Sequence, residues 1–139
     1  MSTHWTYFTE KEMRCKGTDE CLMDEQFMEK LECLRECYDR PMIITSGYRS
    51  QAHNSAIGGS PNSAHVQGRA VDVAVTGSDA YDLIRLAIEH KFTGIGVAQR
   101  GAHNKRFIHI DDMYDSDRTP RPTVWSYKNW SLCKLILCV

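Results

Sequence analysis

The chain has 139 residues, of which 42% are hydrophobic and 25% charged, and its net charge is −1 at pH 7. This length predicts a single domain over residues 1–139, and the near-neutral charge gives no indication of a nucleic-acid partner. No uninterrupted apolar stretch is long enough to cross a bilayer, so membrane insertion is not expected. Residues 1–10 lack the basic and apolar regions of a secretory signal, so synthesis in the cytoplasm is expected.

The first long periodic segment is residues 23–38, where apolar side chains recur at spacings of three and four. This pattern predicts an amphipathic helix with Asp24 near its N-cap and Pro41 just past its end. The apolar positions are Phe27, Leu31, Leu34 and Tyr38.

The rest of the chain alternates short β-rich runs with polar segments. Residues 48–64 are rich in Gly, Asn and Ser and predict a loop that could include one helical turn. A second helix is predicted over 79–90, and the tail 120–139 is expected to pack on the domain. Together these elements indicate an α+β domain. The predicted strands are residues 42–45, 69–75, 94–98 and 106–111.

Cysteines are frequent but do not form a recognisable zinc-binding pattern. Cys33 and Cys37 lie four residues apart in the first predicted helix, and buried thiols are the favoured interpretation. Cys15 and Cys21 could pair with each other or with the C-terminal Cys133 and Cys138. A structural zinc site made of four cysteines is weakly supported, because no Cys-x-x-Cys spacing is present.

Two histidines and an aspartate form the most informative pattern, namely His65, Asp72 and His109. Two imidazoles and one carboxylate are a common ligand set for a catalytic zinc ion that keeps one position open for water. Asp72 lies in a predicted strand between two valines, where a carboxylate is costly unless it is paired or bound to a cation. His109 and Asp111 alternate in another predicted strand, so their side chains leave the same sheet face.

Each of these residues also has a simpler interpretation. The three could be unrelated polar residues at strand ends, with Asp72 paired to Arg69 or Arg49. Arg49 could equally be a donor to a carboxylate or developing oxyanion, or part of a surface salt bridge. Ser63 could bind substrate, orient a ligand or stabilise a turn. Two further histidines in predicted loops could line a cleft or be solvent-exposed, namely His53 and His103.

Three segments together resemble the zinc D-Ala-D-Ala carboxypeptidase family, peptidase family M15. They are Ser46-Gly-Tyr-Arg-Ser50, Ser63-x-His-x-x-Gly-Arg-Ala-x-Asp72 and His109-x-Asp111. That family also contains vancomycin-resistance D,D-dipeptidases and phage endolysin endopeptidases, and its zinc fold is similar to that of the hedgehog signalling domain. The resemblance covers about residues 40–115 and is greatest to short, single-domain members encoded by phages and prophages.

The resemblance implies a small antiparallel sheet flanked by helices and one zinc ion held by His65, Asp72 and His109. It implies that Arg49 faces the substrate and helps to stabilise the oxyanion. We expect Tyr48 and Ser63 also to bind substrate. The implied reaction is D,D-carboxypeptidase or endopeptidase cleavage of a peptidoglycan stem peptide. We expect a monomer that acts on the cell wall, after release from the cell or as part of a phage particle.

The general base is where the chain departs from the family pattern. Some branches carry a Glu three residues before the last histidine ligand, a position that is Arg106 here, and others carry a His at the position of Phe107. Asp111 is the remaining carboxylate on the strand face, and we expect it to accept the water proton, to orient a zinc ligand, or only to hold structure. The alternative function is therefore a catalytically inactive zinc-containing binding or structural module, for example of a phage particle.

Overall fold

The computed structural model describes residues 5–127 and shows a five-stranded sheet with helices, which confirms the α+β class. The helices are α1 (Glu10–Met13), α2 (Glu25–Tyr38), α3 (Gln51–Ala56) and α4 (Gly77–Glu89). The strands are β1 (Ile43–Ser46), β2 (Ala70–Ala74), β3 (Gly94–Ala98), β4 (Phe107–Asp111) and β5 (Thr123–Ser126), and a 3₁₀ turn spans His103–Lys105.

The sheet has the strand order β1-β2-β4-β3-β5. The first three pairings are antiparallel, as expected, whereas β3 and β5 run parallel. The sequence did not predict β5, because its four residues follow two prolines in a tail that was expected only to pack on the domain. β2 and β4 are central neighbours, and this places the two strands that carry Asp72 and His109 side by side.

One face of the sheet packs on the hydrophobic core, and the other carries the polar residues. Val71, Val73, Ile108 and Ile110 are buried in the core cluster with the apolar side chains of α2 and α4. Successive side chains of a strand point to opposite faces. The intervening residues of β2 and β4, among them Asp72, His109 and Asp111, therefore share the other face, opposite α2 and α4.

Helix α2 begins two residues after the predicted start because Asp24 is its N-cap, accepting a hydrogen bond from the Phe27 N–H at 2.8 Å. Its buried stripe consists of the predicted apolar residues together with Met28. Cys33 and Cys37 are exposed, so the expectation of buried thiols was wrong. They share one face with each other, but that face is not the one that packs on the sheet.

Cys15 and Cys21 are buried and are not bonded to each other. Their alternative pairing with Cys133 and Cys138, and the packing of the last part of the tail, lie outside the described residues.

The polar segment before β2 contains more regular structure than the sequence suggested. Helix α3 begins after Ser50, whose Oγ accepts from the His53 N–H at 3.1 Å. Helix α4 begins two residues earlier than predicted. Within residues 5–127, no helix combines the length and apolar character needed to span a bilayer.

Candidate metal centre and its cleft

His65, Asp72 and His109 come together as a buried cluster, each with 7% or less of its surface exposed. One potential ligand atom from each residue lies within 4.8 Å of the other two. His65 Nε2 and His109 Nδ1 both approach the same oxygen, Asp72 Oδ1, at 3.2 and 3.0 Å. The three residues that the sequence singled out as metal ligands therefore converge on one point.

The sheet register and one tight turn explain this convergence. Asp72 on β2 is the direct antiparallel partner of His109 on β4, so their side chains are neighbours on one face. His65 comes from the turn before β2, where its N–H donates to Ser63 Oγ at 3.2 Å. Gly68 closes this turn with a φ of +68°, and a Cβ there would lie 2.0 Å from a backbone carbonyl oxygen. Only glycine fits this position.

In both histidines, the ring nitrogen that points away from Asp72 also has a hydrogen-bond partner. His65 Nδ1 lies 2.7 Å from the Gly47 carbonyl oxygen, and His109 Nε2 lies 2.7 Å from Asp111 Oδ2. Histidines that bind a metal characteristically donate their second N–H to such acceptors, which leaves the inner nitrogen free to coordinate. Nitrogen and oxygen ligands about 2.0–2.2 Å from a tetrahedral zinc lie about 3.3–3.6 Å apart. The distances from the two histidine nitrogens to Asp72 Oδ1 need to lengthen by only a few tenths of an ångström, and all three ligand atoms lie within 4.8 Å of one another, so the donor set fits zinc.

The electrostatics of the cluster favour a cation. Burial by itself would raise the pKa of Asp72, but hydrogen bonds from His109 and His65 outweigh it and hold that pKa well below its ordinary value. Burial would lower the pKa of His109, but hydrogen bonds to Asp111 and Asp72 raise it. Positive charge between the imidazoles and the carboxylate is therefore stabilised, and a divalent metal ion supplies such charge.

Asp111 lies on the other side of the His109 ring and is fully buried. Besides His109, it accepts two hydrogen bonds from Arg121, from Nε at 2.9 Å and Nη2 at 2.8 Å. Burial opposes its ionisation, yet the bonds from His109 and Arg121 lower the pKa of Asp111 to about 2. Both carboxylate oxygens are engaged, so these contacts fit the orienting role that was one of the alternatives for this residue.

The two arginines that the sequence considered as partners of Asp72 take different positions. Arg49 Nη2 lies 3.6 Å from Asp72 Oδ2, and its Nη1 lies 3.4 Å from the Oδ1 of the buried Asn54. Arg69 instead pairs with Asp112 through two hydrogen bonds of 2.9 Å. Arg49 is thus held at the cluster without being fully neutralised by it.

A cleft of about 460 Å³ opens over the cluster. Arg49 and Ser63 line it, as expected for substrate-binding residues. Tyr48 does not line it, because its side chain is buried in the hydrophobic core. The two loop histidines also lie outside the cleft, His53 on α3 and His103 on the 3₁₀ turn.

The sequence missed the aromatic wall of the cleft, formed by Trp125 and Tyr127. The Trp125 ring lies 5.1 Å from the His109 ring, and Tyr127 packs on Phe107 at 5.0 Å. Burial, followed by the charge of Asp72, raises the pKa of Tyr127 to about 12, so its phenol stays protonated and can donate a hydrogen bond. The only sequence signal was the alternation of two aromatic residues, which is typical of one face of a strand.

Two glycines of β3 make room for these side chains. Gly94 is the strand partner of Asp111, and a Cβ there would lie 2.3 Å from its carboxylate oxygens. Gly96 is the partner of His109, and a Cβ there would lie 2.8 Å from Trp125 Nε1 and Tyr127 Oη. Glycine inside a strand often marks such a close approach. The Gly-x-Gly pattern was therefore a signal for the site.

Comparison with known proteins agrees with the site. A family model described as Peptidase M15 matches residues 6–111, a range that includes the three cluster residues and Asp111 but ends before Arg121 and the aromatic wall. The chain is also similar to the zinc D-Ala-D-Ala carboxypeptidase of Streptomyces albus G, with 36% identity over 69 residues. That alignment covers 49% of this chain and 27% of the relative, so the chain matches only about a quarter of the relative's length.

Proposed function

Because the chain belongs to the peptidase M15 family, we propose that it is a zinc-dependent peptidase that cleaves a peptide bond in peptidoglycan stem peptides. The observation that carries this proposal is the convergence of His65, Asp72 and His109 on one point at the base of an open cleft. The name of the Streptomyces relative supports both the metal and a substrate that ends in D-alanine. We propose one zinc ion per monomeric chain, in a single domain.

Zinc, when bound, lowers the pKa of a coordinated water to about 7 and polarises a carbonyl group. The protein supplies the rest of the chemistry. Asp111 holds the His109 ring so that Nδ1 faces the metal position. Arg49 is a permanent cation on the cleft wall, suited to a carbonyl oxygen that becomes negative or to a substrate carboxylate.

The aromatic wall completes this arrangement. The protonated phenol of Tyr127 can donate to a peptide carbonyl, and the Trp125 indole covers the His109 ring and shields it from water. A less polar environment strengthens the interactions of the buried charges with the reacting groups. The site is thereby suited to hydrolysis at neutral pH.

The test is digestion of defined stem peptides by the zinc-loaded protein, with products identified by mass spectrometry. A carboxypeptidase releases one C-terminal amino acid, whereas an endopeptidase yields two peptide fragments. Action on purified cell wall would show that the intact polymer is a substrate, and we propose that the enzyme meets it outside the cytoplasmic membrane, after release or in a phage particle.

Replacement of any one of the three proposed zinc ligands should remove both the metal and the activity. His65→Ala, Asp72→Ala and His109→Ala should each reduce bound zinc from about one ion per chain to less than about a tenth of that, and should abolish hydrolysis. Zinc is measured by atomic emission after dialysis, and His103→Ala, an exposed histidine outside the cluster, is the control. Continued hydrolysis by a metal-free His109→Ala protein would contradict the proposal.

One observation favours a second candidate, a zinc-containing binding module without activity. Two carboxylates line the described part of the cleft, and both are engaged, Asp72 by the histidines and Asp111 by His109 and Arg121. Within residues 5–127, the cleft therefore has no carboxylate that is free to accept the water proton. This candidate predicts stoichiometric zinc and peptide binding without any product in the same digestion.

A further inference from the structure

A second groove of about 380 Å³ adjoins the cleft, and Arg49 lines both. Its walls are formed by the segment after α1, the end of β1 with the residues that follow it, and α3. The groove is connected to the metal cluster through Gly47, which lines it and whose carbonyl oxygen holds His65. We refer to it as the basic groove, because its basic side chains are Arg14, Lys16, Arg49 and His53.

Within residues 5–127, the positive charges of Arg14 and Lys16 in the basic groove have no ion-pair partner. No carboxylate lines it among the described residues. The Arg14 guanidinium has no ion-pair partner within residues 5–127, and its Nε is buried without a hydrogen-bond partner. The Lys16 ammonium donates to the carbonyl oxygen of Thr45, a neutral group.

Such an arrangement is unfavourable unless an anion approaches it. Like charges that lie close together raise each other's free energy, and a buried donor without an acceptor loses the hydrogen bonds it would make in water. Arg49 adds to this charge, because its one carboxylate contact in the described part of the chain is the 3.6 Å approach to Asp72, which is already shared with two histidines. The groove therefore provides donors for a negatively charged group next to the reaction site.

We propose that the basic groove is a substrate subsite in which Arg14 and Lys16 bind a carboxylate of the peptide other than the one at its C-terminus. The inference rests on the proposed peptidase function, since Arg49 lines both the groove and the cleft. A guanidinium presents paired N–H donors in the geometry of a carboxylate, and an ammonium adds a second charge. An acidic stem peptide lying across both cavities would place its reacting bond at the metal cluster and its carboxylate in the groove.

The test uses a set of stem peptides in which each carboxylate other than the C-terminal one is replaced in turn by its primary amide. We expect one amide to raise KM about tenfold, the effect of one hydrogen-bonded charge, with kcat unchanged. Arg14→Gln and Lys16→Gln should raise KM for the acidic peptide by a similar factor and leave KM for that amide unchanged. Arg85→Gln, which removes an exposed charge on α4, is the control.

Two results would overturn the proposal. One is that Arg14→Gln and Lys16→Gln change KM equally for the acidic and the amidated peptide. The other is that neither variant changes KM for the acidic peptide. Lys16 is exposed, so its variant keeps the test valid even if Arg14→Gln fails to fold. If no peptide is hydrolysed, calorimetric titration of the same peptides into zinc-loaded protein separates the two proposals. About tenfold weaker binding of the acidic peptide by Lys16→Gln would then support the subsite although the peptidase function has failed.

Discussion

The His109 imidazole is held between two carboxylates, with Asp72 on Nδ1 at 3.0 Å and Asp111 on Nε2 at 2.7 Å. The two carboxylates have different surroundings. Asp72 faces the cleft and a second histidine, whereas Asp111 is fully buried and bound by Arg121. At the scale of single residues, Asp111 therefore acts on the metal position through the orientation of His109.

This arrangement predicts the effect of Asp111→Asn. An amide is a weaker acceptor than a carboxylate and leaves the Arg121 charge without its partner, so zinc affinity should fall about 10–100-fold. Competition with a chelating dye measures the affinity. Asp117→Asn, an exposed carboxylate in the following loop, should leave it unchanged. Normal zinc affinity together with a large loss of kcat would instead identify Asp111 as the acceptor of the water proton.

At the scale of elements, the glycines of strand β3 leave space for side chains of the neighbouring strands. Its side facing the cleft carries Gly94 and Gly96, while Ile95 on the opposite side packs in the core. Glycine weakens a strand by roughly 0.5–1 kcal/mol relative to alanine. Two glycines on one face are compatible with a stable strand here because the Asp111 carboxylate and the aromatic wall occupy the space of the missing side chains.

We expect Gly94→Ala to lower the free energy of unfolding by about 1–3 kcal/mol, although alanine is the better strand former. The added methyl group meets a carboxylate that His109 and Arg121 hold in place. Gly96→Ala meets the ends of two aromatic side chains, which can turn away, so its effect should be smaller. Urea denaturation measures the stability of both variants. A Gly94→Ala protein as stable as the wild type would show that the Asp111 carboxylate does not need the space beside Gly94.

At the scale of the whole molecule, the metal site joins segments that are far apart in the sequence. The cluster connects the turn before β2 to β2 itself and to β4, and β5 covers it with the aromatic wall. A ligand that binds only the folded state shifts the unfolding equilibrium in proportion to the logarithm of its concentration. Zinc should therefore act as a cross-link of the folded domain.

Zinc at about 100 times its dissociation constant should stabilise the fold by about 2.7 kcal/mol, which raises Tm by roughly 10 °C for a domain of this size. Calorimetric scans with zinc and with a chelator measure this shift. His109→Ala should lose it, while His103→Ala should keep it. Equal Tm values of the wild type in both conditions would argue against a metal site in the folded protein.

Some features were predictable because they depend on local sequence. The spacing of apolar residues predicted α2 to within two residues at its start, and alternation predicted that His109 and Asp111 share a face. The same reasoning failed for Cys33 and Cys37, because it showed that they share a face but not which face packs on the sheet. That choice depends on the neighbouring elements.

The sequence by itself determined the α+β class, the family resemblance and the three candidate ligands, since each is carried by the spacing of residues within short segments. Only the tertiary structure decided the partners: Arg121 on Asp111, the aromatic wall over His109, and Arg14 beside Arg49. These contacts join segments separated by ten or more residues. They form only once the strands pair and β5 docks parallel to β3, a pairing that no local pattern specifies.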